Sequence, residues 1–214
     1  MIQKLNNRTL KIACRELADS DPCFELVRET YGTPPLWDRP KGFATLLQII
    51  LEQQVSLASA KACFDKLAAR IGEVSPENLL TLDDNDMKTA GFSRQKTAYA
   101  RHLSEAILDN RLDLNNLHKL RDAEAKAELI KLKGVGEWTS DIYLLMAMLR
   151  PDVMPKGDIA LHEAYRKLTN ADKRPASDEF ILIAEKWIPF RSVAARMLWH
   201  YYLSEKAVRA ETRV

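Results

Sequence analysis

The sequence predicts an all-α chain, on three observations. Apolar residues recur at helical spacing in stretch after stretch, while no pair of segments alternates apolar and polar residues as paired strands would. The breaks between periodic stretches fall at prolines, glycines and residues that cap helices. No internal repeat or low-complexity segment interrupts the pattern. At 214 residues the chain is long enough to bury a substantial core.

The elements follow in order. Residues 7–18 form a first helix, and Asp21-Pro22 opens a second that runs to about residue 30, aspartate supplying the cap and proline the first helical position. Gly32, Pro34, Pro35 and Pro40 make 31–40 an irregular crossing, with Trp37 packed inside it. Residues 42–52 are helical, with Phe43, Leu46, Leu47 and Ile50 on one face. Ser56 caps the next helix, whose inward side is Leu57, Ala60, Phe64, Leu67, Ala68 and Ile71, and Gly72 ends it. Ser75-Pro76 is a start signal and Gly91 closes a short helix. Ser93 caps another, which turns Tyr99, Leu103, Ala106 and Ile107 inward. A helix over 122–131, capped by Asp122, leads to Gly134-Val135-Gly136. Trp138, Ile142, Leu145, Met146 and Leu149 then recur at helical spacing over 137–150. Asp158 opens a helix to about residue 168, Ser177 caps one running to residue 187, and Pro189 breaks the chain. A last long helix starts at Ser192, with Val193, Met197 and Tyr201 along one side.

Composition narrows the function classes. Lys and Arg total 32 against 30 Asp and Glu, so net charge is +2 and any nucleic-acid face must come from local arrangement. Cys14, Cys23 and Cys63 lack metal-type spacing and suit reduced thiols. Three cysteines also exclude a four-cysteine iron–sulfur cluster supplied by this chain. His102, His118, His162 and His200 form no metal-ligand spacing, and no glycine-rich nucleotide loop is present, so no metal or nucleotide cofactor is expected. No secretion signal opens the chain and no apolar run reaches ~18 residues, so the expected location is cytoplasmic (nucleoid-associated) or nuclear.

The chemistry concentrates between residues 132 and 158. Helix, Gly-Val-Gly and helix make a tight hairpin, and the glycines leave backbone N–H groups uncovered at the start of the second helix, where the dipole favours a phosphate. Asp158 follows Pro155-Lys156-Gly157 at the end of a Pro/Gly-containing loop over 151–157. Aspartate is a favoured N-cap in any case, and capping is compatible with a catalytic carboxylate held rigidly at a helix start.

This combination of Leu132-Lys133-Gly134-Val135-Gly136-Glu137-Trp138-Thr139-Ser140 with Asp158 resembles the helix-hairpin-helix DNA glycosylase superfamily, in its 3-methyladenine (alkylated-base) branch. The resemblance covers the chain from about residue 42 to the end of the last helix. It implies two helical subdomains with a cleft between them: a middle one over about 42–150, and a second from 1–41 and 151–214. It implies a monofunctional enzyme of base excision repair that flips alkylated purines, of the 3-methyladenine and 7-methylguanine type, out of double-stranded DNA and hydrolyses their N-glycosidic bond.

Residue by residue, the resemblance makes Asp158 the carboxylate that stabilises an oxocarbenium-like sugar. Trp138, Trp187, Ile142 and Ile159 line the base pocket. The two isoleucines stand where relatives often carry aromatics, which narrows the expected substrate range. Gly134, Val135, Gly136, Lys133 and Thr139 contact the DNA strand, Gln54 fills the gap left by the flipped base, and the carbonyls of Leu132 and Val135 hold a monovalent cation, Na⁺ or K⁺. Relatives that also nick DNA carry a lysine where this chain has Trp138, and a tryptophan forms no Schiff base. Lys133 and Lys156 are the alternative amines. A monomer is expected. Two rival readings are a bifunctional glycosylase/lyase acting on oxidised bases, and a helix-hairpin-helix DNA-binding module without catalysis. The second leaves the loop and Asp158 unexplained.

Overall fold

The computed structural model describes residues 2–211 and contains, among them, twelve α-helices and no strands, so the chain is all-α as expected. It forms two compact units. One joins the chain up to Asp38 to the chain from Leu149 onward, and the other is Arg39–Met148.

The first unit begins with α1 (Asn7–Ser20) and α2 (Pro22–Tyr31). Asn6 caps α1, its Oδ1 accepting from the N–H groups of Arg8 and Thr9 at 2.9 Å each. Asp21 caps α2 by accepting from the Cys23 N–H at 3.0 Å.

The second unit holds α3 (Phe43–Glu52), α4 (Leu57–Ile71), α5 (Pro76–Leu80), α6 (Asp84–Thr89), α7 (Arg94–Leu108), α8 (Asp122–Ile130) and α9 (Glu137–Ile142). Its core is built on α3, whose Leu46, Leu47, Ile49 and Ile50 are fully buried and leave little surface for solvent. Ser56, Ser75 and Ser93 each cap the helix the sequence assigns them, and Gly72 ends α4 at φ +70°. Leu57 does not turn inward as the periodicity predicts. It is 64% exposed, as the first residue of α4.

The chain returns to the first unit with α10 (Ile159–Leu168), α11 (Ser177–Ala184) and α12 (Arg191–Glu211). Phe24 and Val27 from α2 and Phe180 from α11 are buried, and so are Val193 and Met197 from α12. Arg196 is fully buried on α12. Its Nε donates to the Leu36 carbonyl at 2.8 Å and its Nη1 to the Ser192 carbonyl at 3.0 Å. Burial pulls this guanidinium down to about 10, with Cys14 and Asp38 acting in the opposite direction. The arginine thereby ties the irregular crossing before Arg39 to the last helix.

Three local expectations are corrected. Asp122 is the first helical residue of α8, and Arg121 is the cap, its N–H donating to Glu124 Oε2 at 3.0 Å. Ser177 likewise lies inside α11. Ala176 precedes it as the cap, and Glu179 Oε2 accepts the Ala176 N–H at 3.1 Å. In both places a glutamate reaching back outweighs the more obvious capping side chain. The helix after the hairpin is also shorter than 137–150. α9 ends at Ile142 and widens into a π-helical turn over Tyr143–Ala147, marked by a bond from the Met148 N–H to the Tyr143 carbonyl at 3.1 Å.

Candidate active site and hairpin

The hairpin belongs to the second unit. Leu132 and Val135 are buried and anchor the turn, and the Val135 N–H donates to the Leu132 carbonyl at 3.1 Å. Gly134 has φ +87° and lies against the Tyr99 ring from α7. A Cβ there would come within 2.2 Å of Tyr99 Cγ, so glycine is required on conformational and steric grounds alike. Gly136 caps α9 and accepts the Ser140 N–H at 3.0 Å. Among the described residues, no hydrogen bond uses the N–H of Gly134 or Gly136. Lys133 is exposed, and its backbone N–H donates to His102 Nδ1 at 3.3 Å.

Two members of the expected DNA-contact set are engaged inside the unit. Val135 has spent its N–H on the internal turn, so it cannot offer it to a phosphate. Thr139 is 2% exposed, and its Oγ1 accepts from Gln53 Nε2 at 2.8 Å, so its side chain faces inward. Gln54 is exposed just beyond the end of α3, in the left-handed region at φ +59°. Of the two carbonyls expected to hold a monovalent cation, that of Leu132 already accepts one N–H, leaving it one lone pair for an ion. Among the described residues no group of three His, Cys, Asp or Glu is placed to hold a metal ion.

Asp158 belongs to the first unit. The loop before it is pinned to the start of α12. Ser192 Oγ accepts from the Val153 N–H at 2.9 Å and donates to the Val153 carbonyl at 3.1 Å. Arg191 grips Asp152 through Nε and Nη2, each at 2.9 Å. Gly157 then turns the chain at φ +79°, and Asp158 caps α10, Oδ1 accepting from the N–H groups of Ala160 at 3.0 Å and Leu161 at 3.2 Å. A third donor, Trp199 Nε1 of α12, reaches the same oxygen at 3.3 Å. The sequence pattern gives no sign of this partner, since Trp199 lies in a run of large residues on a helix that reads as core. Lys156 is ion-paired with Asp178 at 2.9 Å. The carboxylate is thus oriented from two helices, α10 and α12.

The four expected pocket residues are divided between the two units in the chain. Trp138, half-buried, and Ile142, fully buried, are in the second unit. Ile159, next to Asp158, is 66% exposed. Trp187 is 1% exposed and is a core residue of the first unit. Its indole donates to Asp21 Oδ2 at 2.9 Å, and its ring meets Phe24, Tyr165 and Phe180 edge-on at centroid distances of 5.1, 5.9 and 6.0 Å. Only one aromatic of the expected pair, Trp138, therefore has surface to offer a base.

No helix among the described residues is long and apolar enough to cross a membrane. The chain is similar to the Bacillus subtilis protein YfjP, whose assignment as a DNA-3-methyladenine glycosylase is provisional. The two are 29% identical over 182 residues, which is 81% of this chain but 63% of YfjP, so this chain spans less than two thirds of that relative. Among solved structures, the 3-methyladenine DNA glycosylase Mag1 of Schizosaccharomyces pombe in complex with abasic DNA superposes with a TM-score of 0.80. Identity is 25%, over 87% of this chain and 94% of the other. A DNA-3-methyladenine glycosidase of Bacillus halodurans gives a TM-score of 0.78 at 26% identity, covering 91% of each chain. Residues 47–190, which include both the hairpin and Asp158, match the family described as HhH-GPD superfamily base excision DNA repair protein. The chain belongs to the HhH-GPD superfamily of base excision DNA repair proteins.

Proposed function

We propose that this chain is a monofunctional DNA glycosylase that hydrolyses the N-glycosidic bond of alkylated purines, of the 3-methyladenine and 7-methylguanine type, in double-stranded DNA. The observation that carries the reading is Asp158, a carboxylate fixed at a helix start by two backbone amides and an indole, in a chain of a base-excision family. The likeness to a 3-methyladenine DNA glycosylase caught on abasic DNA supports the same reading.

Each step falls to a named group. N3- or N7-alkylation places positive charge on the purine and weakens its bond to C1′, so the base leaves with the bonding electron pair and without an acid. The half-buried Trp138 offers a ring face to that cation, worth about 0.5–2 kcal/mol. Asp158 stabilises the positive sugar as the C1′–N bond opens and accepts a proton from the water that attacks C1′, leaving an abasic site. Gly134 and Gly136 offer their N–H groups to a strand phosphate and Lys133 its ammonium, contacts that position without reading sequence. The exposed Gln54 fills the gap left by the flipped base, whose unstacking costs a few kcal/mol. The protein works as a monomer and without a nucleotide cofactor.

The test is release of base from methylated duplex DNA. The wild type frees 3-methyladenine or 7-methylguanine. Asp158→Asn, which keeps a capping oxygen, loses release by ~10²-fold or more while still binding DNA. A wild type that binds DNA and frees no base overturns the reading. With Trp138 where a lyase carries lysine, borohydride added during turnover traps no covalent protein–DNA adduct. Such an adduct would move the enzyme to the bifunctional class.

A further inference from the structure

Within Arg39–Met148, three successive residues at the end of α3 are each tied to a different part of the unit. The Leu51 carbonyl accepts from Lys96 Nζ of α7 at 2.6 Å, and the Gln53 carbonyl accepts from the same ammonium at 3.1 Å. Glu52, its side chain 6% exposed, is paired with Arg39 at 3.0 Å. Gln53 Nε2 reaches the hairpin, donating to the Gly134 carbonyl at 2.8 Å and to Thr139 Oγ1 at 2.8 Å. The residue that follows, Gln54, is exposed and left-handed without being glycine. Such a conformation persists where the surroundings over-determine it, and here three anchors stand immediately before it.

We propose that Gln53 is a positioning residue. Its side-chain amide fixes the spacing between Gln54 and the turn at 134–136, so that the residue filling the gap and the turn gripping the strand meet DNA in one register. This role rests on the glycosylase reading of Gln54 and the hairpin. The chemistry is specific to an amide. Its NH₂ has two protons, and both acceptors facing it, a carbonyl and a hydroxyl oxygen, are satisfied at normal distances. A carboxylate of the same shape offers no donor and sets negative charge against the Gly134 carbonyl, whereas a protonated carboxyl regains one donor.

That difference supplies the test. Affinity for a duplex carrying a stable abasic-site analogue is measured at pH 8 and pH 5.5 for wild type, Gln53→Ala and Gln53→Glu, beside single-turnover release of 7-methylguanine and circular dichroism. The wild type and Gln53→Ala carry the same Lys96, Glu52, Arg39, Lys133 and His102, so the titration of these neighbours is subtracted. Gln53→Glu is expected to bind the abasic duplex about ten- to a hundredfold more weakly than wild type at pH 8 and to regain part of that loss at pH 5.5, where the carboxyl begins to protonate. Gln53→Ala is expected to stay weak at both. If Gln53→Glu fails to fold, Thr139→Val, which removes one of the two acceptors, carries the test with an expected loss of about three- to tenfold. Folded variants that bind and release base like the wild type, or a Gln53→Glu deficit equal at both pH values, overturn the positioning role while leaving the glycosylase reading intact. Weakened binding in the variants, with a wild type that frees no base, overturns the glycosylase reading instead.

Discussion

Gly134 and Gly136 occupy one three-residue motif yet carry different constraints. Gly134 is left-handed and pressed on the Tyr99 ring, where a Cβ would sit 2.2 Å from a ring carbon against an ordinary contact of about 3.5–4 Å. Gly136 has φ −96° and nothing within 4 Å of where a Cβ would stand. Gly134→Ala is therefore expected to destabilise the second unit by on the order of 2–4 kcal/mol, combining strain with forced movement of a packed ring. Gly136→Ala is expected to cost under about 1 kcal/mol, as a cap position normally does when it changes from glycine. Denaturant midpoints of the two variants check the contrast, and equal midpoints would show that the turn is not set by Tyr99. Both glycines were legible in the sequence. Their inequality was not, because it comes from a side chain 35 residues earlier that meets the hairpin only after folding. The same limit explains Thr139 and Trp187. Their residue types suit a site, but a hydroxyl taken by Gln53 and an indole taken by Asp21 are tertiary facts.

At the scale of elements, the start of α2 holds more than a cap. Asp21 accepts from the Cys23 N–H, from the Trp187 indole and from Lys186 Nζ at 2.9 Å, joining α2 to the segment after α11. Burial pushes this carboxyl up, but the hydrogen bonds from Trp187, Lys186 and Cys23 and the charge of Lys186 outweigh it. The net effect is to hold it below the usual carboxylate range. A carboxyl depressed in the folded state adds stability that is present above its unfolded value of about 3.9 and is lost as pH falls through the folded value. Asp21→Asn keeps an acceptor for the indole but gives up the charge. Wild type is expected to exceed the variant in urea midpoint at pH 7, with the gap closing below about pH 4. A gap that persists into acid would mean that the contribution is geometric rather than ionic. The cap itself was legible from Asp21-Pro22, as were Ser56, Ser75 and Ser93, because capping is decided within a few residues. At Arg121 and Ala176 the deciding side chain is the glutamate three residues on, and the π-helical turn after α9 leaves no mark in an apolar period.

For the whole molecule, the all-α class and the capping position of Asp158 were open to reading because both rest on local pattern, periodicity for the one and a loop ending in a cap for the other. Trp199 was not, since it reaches Asp158 from 41 residues away. Charge works the same way. A net of +2 does not say which cations face DNA: Arg39, Lys126 and Arg191 are held by carboxylates, whereas Lys133 on the hairpin is exposed. If the hairpin supplies the grip, few phosphates are neutralised. The logarithm of affinity for undamaged duplex should then fall against the logarithm of salt with a slope of only about −2 to −4. Lys133 is exposed on that turn, so Lys133→Ala should flatten the slope by about one unit and weaken binding to all sequences alike. Fluorescence anisotropy of a labelled duplex across a series of KCl concentrations measures both. A wild-type slope steeper than about −6, unchanged by Lys133→Ala, would put the electrostatic contact on another face. The basic residues Lys167, Lys173 and Arg174, at and just beyond the end of α10, would then be the first place to substitute, and the hairpin would lose its place as the main grip on DNA.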